Sequence, residues 1–231
     1  MKKILFNSRY GLETAVIELR KTMTRRIVRC PKTFRGVSDV ELEFRKRPGA
    51  DFYFDCVVTD GDGRELGQLP LPYELGEVVA VGQRYKDVIR IAYRDESVWQ
   101  FLMEKGLMQS GGAINTRLCT HAGYNNKMFT RADFMPWQVQ ITDLWFEHMQ
   151  DISDEDCLRE GVERWLDGYI VSGLMERSGR NNRVFDTPRE AFAALIDRIN
   201  GRGTWHDNPW VVAYTMDLQR AEGFKEQETN K

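Results

Sequence analysis

The stretch Arg20-Lys21-Thr22-Met23-Thr24-Arg25-Arg26-Ile27-Val28-Arg29 decides the predicted fold. Five of its side chains are cationic and none is acidic, and β-branched residues alternate loosely with arginines toward its end. That alternation predicts a strand. The segment before it predicts a helix over about residues 12–20, because Ala15, Val16 and Leu19 recur at helical spacing. The sequence therefore predicts a basic strand that leaves a short helix.

The same stretch contains residues that can carry chemistry. Lys21 precedes Thr24 by three residues, so an amine and a hydroxyl can meet near the end of the helix. An amine whose pKa is lowered by burial can accept the hydroxyl proton and create a nucleophile. Arg25 and Arg26 can hold a phosphate or a base carbonyl, with Thr22 beside them. The alternative is that cations near a helix C-terminus simply face water and complement the helix dipole.

Five later segments give clear secondary-structure predictions. Residues 76–82 are an apolar run bracketed by glycines, which predicts a strand buried on both faces. Residues 137–146 alternate between apolar and polar and predict a half-buried strand. Residues 153–165 and 187–200 predict helices with capping residues at their starts, and residues 210–216 predict the last strand. Strands and helices without a regular alternation indicate an α+β barrel rather than a doubly wound sheet.

The segments between these elements are polar and irregular. We predict one domain over residues 1–218, with insertions at about 30–75, 86–128 and 166–186. Residues 219–231 are polar and are predicted to form a frayed tail.

Composition limits the partners that the chain can have. The formal net charge of -2 over 231 residues excludes a uniformly basic surface, so a nucleoside or a short single-stranded RNA is a better partner than a duplex. No apolar run approaches the ~20 residues that a membrane span needs, so no membrane partner is expected. The first residues lack a signal-peptide pattern, which predicts a cytoplasmic protein. Nothing in the sequence indicates the oligomeric state.

The cysteines and histidines do not form a recognisable site. The four cysteines are scattered, with no Cys-x-x-Cys pair, and the three histidines are equally dispersed. A disulfide framework and a zinc site are therefore both disfavoured. We expect no metal and no cofactor.

The run Arg20–Arg26 closely resembles the G-R-K-T-x-T-x-R signature of ASCH domains, which are relatives of the PUA RNA-binding fold. Three further segments agree with that family in order and character: residues 76–82, 152–161 and 208–214. The longer pattern, including residues 126–129 and 135–137, is similar to phage and prophage ASCH proteins. The resemblance implies a small PUA-like (ASCH) β-barrel of the α+β class with flanking helices and inserted loops.

One branch of this family is a small amidohydrolase that removes the acetyl group from N4-acetylcytidine. Its catalytic lysine, threonine and glutamate match Lys21, Thr24 and Glu160. By resemblance, Lys21 would activate Thr24 for attack on the acyl carbon, and Glu160 would move a proton. Arg26 matches the signature arginine and would orient the substrate or an oxyanion. Leu19 stands where the signature has glycine, and the chain is longer than the small hydrolases.

Two other functions fit the resemblance. Some family members are proposed to bind RNA, so the pocket would hold a nucleoside or single-stranded RNA without chemistry. The phage members indicate a morphogenesis or assembly factor. If the pocket holds a nucleoside or RNA, with or without chemistry, we expect Tyr85 to stack on a base at the pocket mouth. Tyr85 follows the glycine-bracketed strand. The alternative for this ring is an ordinary place in the core. Tyr85 completes the predicted substrate-binding set with Thr22, Arg25 and Arg26.

Overall fold

The computed structural model describes residues 1–46, 48–49, 51–109, 113–176, 179, 181–222 and 224. Its strands are β1 (Lys3–Ile4), β2 (Met23–Ile27), β3 (Thr33–Phe34), β4 (Val37–Ser38), β5 (Glu41–Lys46), β6 (Tyr53–Thr59), β7 (Glu65–Gln68), β8 (Val78–Val81), β9 (Trp137–His148), β10 (Glu163–Trp165), β11 (Gly168–Ile170) and β12 (Trp210–Arg220). Its α-helices are α1 (Leu12–Ile17), α2 (Tyr85–Ala92), α3 (Glu96–Glu104), α4 (Thr116–Thr120), α5 (Asp154–Arg159), α6 (Pro188–Asn200) and α7 (Thr204–Asp207). Single 3-10 turns lie at Ser8–Tyr10, Ala122–Tyr124, Lys127–Phe129, Ala132–Phe134 and Met149–Asp151.

The fold is mixed α+β, as predicted, and a multi-stranded sheet dominates it. The path of this sheet runs β1-β8-β9-β12-β2, and β5, β6 and β7 join it through pairing of β6 with β9. Within the described residues the sheet is not closed into a barrel, so the predicted barrel is wrong in this respect. Apolar alternation shows which strands are half-buried, but it carries no information on whether the first strand of a sheet pairs with the last.

Contacts divide the chain into two compact units. The first unit comprises Met1–Ser8, Val78–Gln140 and Asp217–Lys231, and the second comprises Arg9–Glu77 and Ile141–Met216. The prediction of one domain with three insertions stays a prediction. β12 continues to Arg220, and most of the tail predicted to be frayed lies outside the described residues.

The first unit combines strands with helices. β1 pairs in parallel with β8, and β8 pairs antiparallel with the start of β9. Helix α3 begins at a well-formed cap, because the Asp95 carboxylate accepts hydrogen bonds from the backbone N–H groups of Ser97 and Val98. Helices α2 and α3 bury their apolar sides in a common core with Met135. No helix in the described part of the chain has both the length and the apolarity of a membrane span.

The second unit contains the basic strand. β2 pairs antiparallel with β12, and β5, β6 and β7 form an antiparallel meander that pairs with β9 through Tyr53 and Phe146. Much of the segment predicted as an insertion at 30–75 is thus part of the sheet. Helix α6 begins as predicted, because the Thr187 hydroxyl accepts a hydrogen bond from the backbone N–H of Glu190 and Pro188 occupies the first turn.

Two helices near the basic strand are shorter than predicted. The helix expected over 12–20 ends at Ile17, because Leu19 adopts a left-handed φ of 60° and the next two N–H groups both bond the Ala15 carbonyl. The helix expected over 153–165 ends at Arg159, and Gly161 follows it with a φ of 102°. Trp165 therefore lies in β10 and not on a helical face. Both helices end at residues with a positive φ, and the spacing of apolar residues does not predict where such residues lie.

Candidate functional site

β2 carries the basic run into the sheet. Its pairing with β12 places Arg25 opposite Ala213 and Thr24 opposite Tyr214. Successive side chains leave a strand on opposite faces, so Thr24 and Arg25 point to different sides of the sheet. On the Arg25 face, Met23 packs with Ala213 in a buried cluster.

Lys21 lies just before β2 and is only 3% exposed. Its Nζ donates to the backbone oxygen of Glu160 at 2.8 Å and to the carboxylate Oε2 of the same residue at 2.5 Å. Glu160 is the C-terminal cap of α5 and is also buried. The structure thus brings together the predicted amine and the predicted carboxylate, which are 139 residues apart in the chain.

Burial sets the ionisation of Lys21. Loss of hydration disfavours the charged ammonium and lowers the pKa of Lys21 below its ordinary value of 10.5, despite the opposing charge and hydrogen bond of Glu160. The neighbouring charges of Arg26 and Arg25 lower this pKa further. A lysine in this state can release and accept a proton nearer to neutral pH than an exposed one.

Arg25 lies in a network of carboxylates. Its Nε contacts Glu147 Oε1 at 2.6 Å, its Nη2 contacts Asp156 Oδ2 at 2.9 Å and its Nη1 contacts Glu160 Oε1 at 3.3 Å. Burial alone would lower the pKa of Arg25, but the charges of Glu160 and Glu147 outweigh it and raise the pKa. Because each guanidinium nitrogen bonds a different carboxylate, the geometry favours a role in holding Glu160. The predicted role in substrate binding stays a prediction.

We name Lys21, Arg25, Glu147, Asp156 and Glu160 the Lys21 cluster. It contains two cationic groups and three carboxylates. The side chains of Lys21, Arg25, Glu147 and Glu160 are buried, whereas that of Asp156 is 19% exposed and also contacts Arg159. The contact between Lys21 and Glu160 gives a path along which a proton can pass between an amine and a carboxylate.

Sequence reasoning missed Glu147 and Asp156. Glu147 is buried, and its Oε2 also accepts a hydrogen bond from Trp145 Nε1 at 2.8 Å. Alternation gives no clear signal for Glu147, because the odd-numbered Asp143 is exposed and the even-numbered Phe146 is buried.

The threonines are placed differently from Lys21. Thr24 is buried, but strand alternation puts its side chain on the face opposite Arg25. The hydroxyl of Thr22 accepts a hydrogen bond from Arg159 Nε at 3.2 Å, and the backbone N–H of Thr22 bonds the Arg159 carbonyl. Thr22 therefore ties the start of β2 to the end of α5, which fixes the position of Glu160.

Arg26 lies beside a small cavity. Together with Arg29 it lines a space of about 150 Å³ that the Leu69–Pro72 segment closes on one side. A guanidinium at such a cavity can meet a small polar ligand. The predicted substrate-binding role of Arg26 stays a prediction, and this geometry is compatible with it.

Tyr85 belongs to the other unit and is a core residue there. It is the first residue of α2 and is 4% exposed, and its hydroxyl accepts a hydrogen bond from the backbone N–H of Arg131 at 3.0 Å. Its ring contacts His121 and Phe134. The expectation that this ring stands open at a pocket mouth is corrected, because a buried ring offers no free face to a base. The strand before it turns directly into a helix.

Among the residues that the structure describes, no three or more His, Cys, Asp or Glu side chains are grouped so that they could hold a metal ion.

The lowered pKa of Lys21 predicts how its contribution to stability depends on pH. Between the folded-state pKa and 10.5 the unfolded chain binds more protons, so the contribution of Lys21 is fully present above about pH 10.5 and is lost as the pH falls. In urea unfolding, wild type should therefore gain stability relative to Lys21→Met as the pH rises toward 10.5. The exposed Lys32→Met is the control. A difference between wild type and Lys21→Met that stays flat with pH would contradict this expectation.

The carboxylates around Arg25 predict a large loss of stability for Arg25→Met. This change leaves Glu147 and Glu160 buried without their guanidinium, at a cost of about 3–5 kcal/mol in the free energy of unfolding. Arg45→Met is the matched control, because Arg45 also pairs with two carboxylates, those of Glu43 and Glu65, but at the surface. Urea unfolding should show a much smaller loss for the control, and equal losses would refute the role given to Arg25.

Comparisons of the chain with protein-family models, with curated proteins and with solved structures find no match. The resemblance to ASCH domains therefore stays a prediction, and the function is argued from the Lys21 cluster.

Proposed function

We propose that this chain is a PUA-like protein of the ASCH type that hydrolyses an acyl-amide on a modified nucleoside such as N4-acetylcytidine. The observation that carries the proposal is the contact between the Lys21 ammonium and the Glu160 carboxylate at 2.5 Å, with both groups buried. Amide hydrolysis needs a group that takes a proton from the nucleophile and a group that gives one to the leaving amine. A buried lysine and glutamate in contact can perform both transfers.

The reaction begins when the Lys21 ammonium passes its proton to Glu160. The resulting neutral amine takes a proton from the attacking oxygen, and that oxygen forms a bond to the acyl carbon. The bond from the acyl carbon to the exocyclic nitrogen then breaks, and the nitrogen leaves with a proton supplied through Glu160 or Lys21. If the attacking oxygen belongs to Thr24, water then hydrolyses the resulting ester and releases acetate.

Two nucleophiles fit this scheme. The family resemblance assigns the attack to Thr24, whereas the alternation of β2 places the Thr24 side chain on the face opposite Arg25. A water molecule activated by Lys21 and Glu160 is the other nucleophile. Arg26 lies on the same strand face as Thr24, so at its small cavity it would orient the acyl oxygen or the base carbonyl if Thr24 attacks.

Acetate release from N4-acetylcytidine tests the proposal. Wild type should convert it to cytidine, and Lys21→Met and Glu160→Gln should each lower kcat by about 100-fold or more, as expected for loss of general acid–base catalysis. Thr24→Ala should abolish turnover and Thr24→Ser should retain it if Thr24 attacks, whereas both should retain it if water does. Lys32→Met, at an exposed lysine, is the control.

The proposal fails if wild type leaves a panel of acylated nucleosides intact. It also fails if turnover persists in a folded Lys21→Met variant, since the pair would then have a structural role only. Folding of each variant is checked by its urea unfolding curve.

A binding module for single-stranded RNA is the second candidate function. The cavity beside Arg26 and Arg29 favours it, because two cations at one small opening suit a phosphate next to a base. Arg26→Ala should weaken binding of a short RNA and reduce the slope of log K against log salt by about 0.7. Binding with an unchanged salt slope would contradict this candidate. The third candidate, a phage assembly factor, rests on the resemblance alone.

A further inference from the structure

The hydroxyl of Tyr214 is a buried polar group that lies outside the Lys21 cluster. Tyr214 belongs to β12, and its side chain is fully buried. Within the part of the chain that the structure describes, the hydroxyl oxygen has no hydrogen-bond partner. The large majority of buried side-chain polar atoms in proteins have at least one partner, so this exception requires a physical explanation.

A buried hydroxyl without a partner lowers the stability of a fold. The hydrogen bonds that it makes to water in the unfolded chain are lost on folding and are not replaced. A phenylalanine at position 214 would fill the same space with its ring and would avoid this cost. Packing alone would therefore favour phenylalanine here. Groups that are unfavourable for folding are found chiefly where a function uses them.

Strand pairing places Tyr214 next to Thr24. The two residues are direct cross-strand partners in the antiparallel pair of β2 and β12, so their side chains lie on the same face of the sheet. Both side chains are buried. Thr24 supplies the attacking oxygen in one of the two schemes for hydrolysis. A hydroxyl with no other hydrogen bond in the described chain thus accompanies the proposed nucleophile.

The same face leads to the cavity beside Arg26. Val212, two residues before Tyr214, lies opposite Arg26 and lines this cavity together with Pro72. Tyr73 follows Pro72, and its ring meets the Tyr214 ring edge-on, with 5.6 Å between the ring centroids. The cavity volume of about 150 Å³ is comparable to that of a cavity that holds benzene, so a small acyl group fits and a whole nucleoside does not.

Tyr214 keeps its proton at neutral pH. Burial raises the pKa of its hydroxyl, and this effect outweighs the neighbouring backbone N–H of Tyr73 and the positive charge of Arg26, which lower the pKa. The hydroxyl is therefore a hydrogen-bond donor and not a base. A neutral donor that is shielded from water can stabilise negative charge as it develops on a carbonyl oxygen.

We propose that the Tyr214 hydroxyl donates a hydrogen bond to the acyl oxygen of the substrate while Thr24 attacks the acyl carbon. As the new bond to this carbon forms, an electron pair moves to the acyl oxygen, and Tyr214 stabilises the negative charge without losing its proton. This role rests on the proposed hydrolysis and adds a catalytic residue to it. Because both hydroxyls are buried, the acyl group reaches them when residues 69–73 move aside.

Tyr214→Phe tests this role, because it removes the hydroxyl and keeps the ring. In urea the variant should be as stable as wild type or more stable, since it loses a buried group that has no partner. Its kcat on N4-acetylcytidine should fall about 100-fold with little change in KM, as expected for a donor that acts on the transition state. Tyr85→Phe is the matched control. Tyr85 is also buried, but its hydroxyl bonds the Arg131 backbone, so this variant should lose stability and keep its kcat.

The results separate a failure of this role from a failure of the proposed function. Unchanged kcat in Tyr214→Phe would overturn the role of Tyr214 and leave the proposed hydrolysis intact, as would turnover that persists in Thr24→Ala. A loss of stability in Tyr214→Phe as large as that in Tyr85→Phe would also overturn it, because the hydroxyl would then have a structural partner. Wild type that releases no acetate from acylated nucleosides would refute the hydrolysis and this role together.

Discussion

The second unit is organised around two opposite charges that are held in contact away from water. Removing the Lys21 ammonium and the Glu160 carboxylate from solvent costs several kcal/mol for each ion, so neither is tolerated without closely placed partners. The surrounding structure supplies them. Arg25 satisfies the second oxygen of Glu160, and Glu147 and Asp156 in turn satisfy Arg25. These contacts account for an acid inside β9 and an arginine inside β2.

Backbone geometry holds Glu160 in position against Lys21. Helix α5 stops at Arg159, and the pairing of Thr22 with Arg159 fixes that end against the start of β2. Gly161, at a φ of 102°, then turns the chain away, and an added Cβ there would lie only 3.0 Å from Leu12 Cδ2. A larger residue at this position would strain the backbone and crowd Leu12.

Much of the fold could be predicted from local patterns, and the failures have identifiable causes. Alternation predicted β9, the glycine-bracketed run predicted β8, and capping residues predicted the start of α6, because each signal lies within a few residues. Barrel closure was wrong, since pairing between distant strands leaves no local signal. The predicted base-stacking role of Tyr85 was wrong for another reason. An aromatic ring suits both base stacking and core packing, and only its burial in the structure distinguishes the two.

The candidate site likewise contains residues that the sequence indicates and residues that only the structure identifies. The spacing to Thr24 indicates Lys21, whereas Glu160 and its pairing with Lys21 are implied only by the resemblance. The burial of Glu147 could not be predicted from alternation, because the exposed Asp143 lies at an odd-numbered position of the same strand. The position of Arg25 among three carboxylates required coordinates, because an arginine on a strand has the same sequence pattern whether it faces a ligand or a buried acid.

The account depends on Lys21 being a buried amine whose charge is opposed by burial and supported by Glu160. NMR titration of the Lys21 side chain measures this directly. We expect a pKa below 10.5 in wild type and a still lower pKa in Glu160→Gln, because the carboxylate favours the ammonium. A Lys21 that titrates at or above its ordinary value, or that is unaffected by Glu160→Gln, would contradict the account.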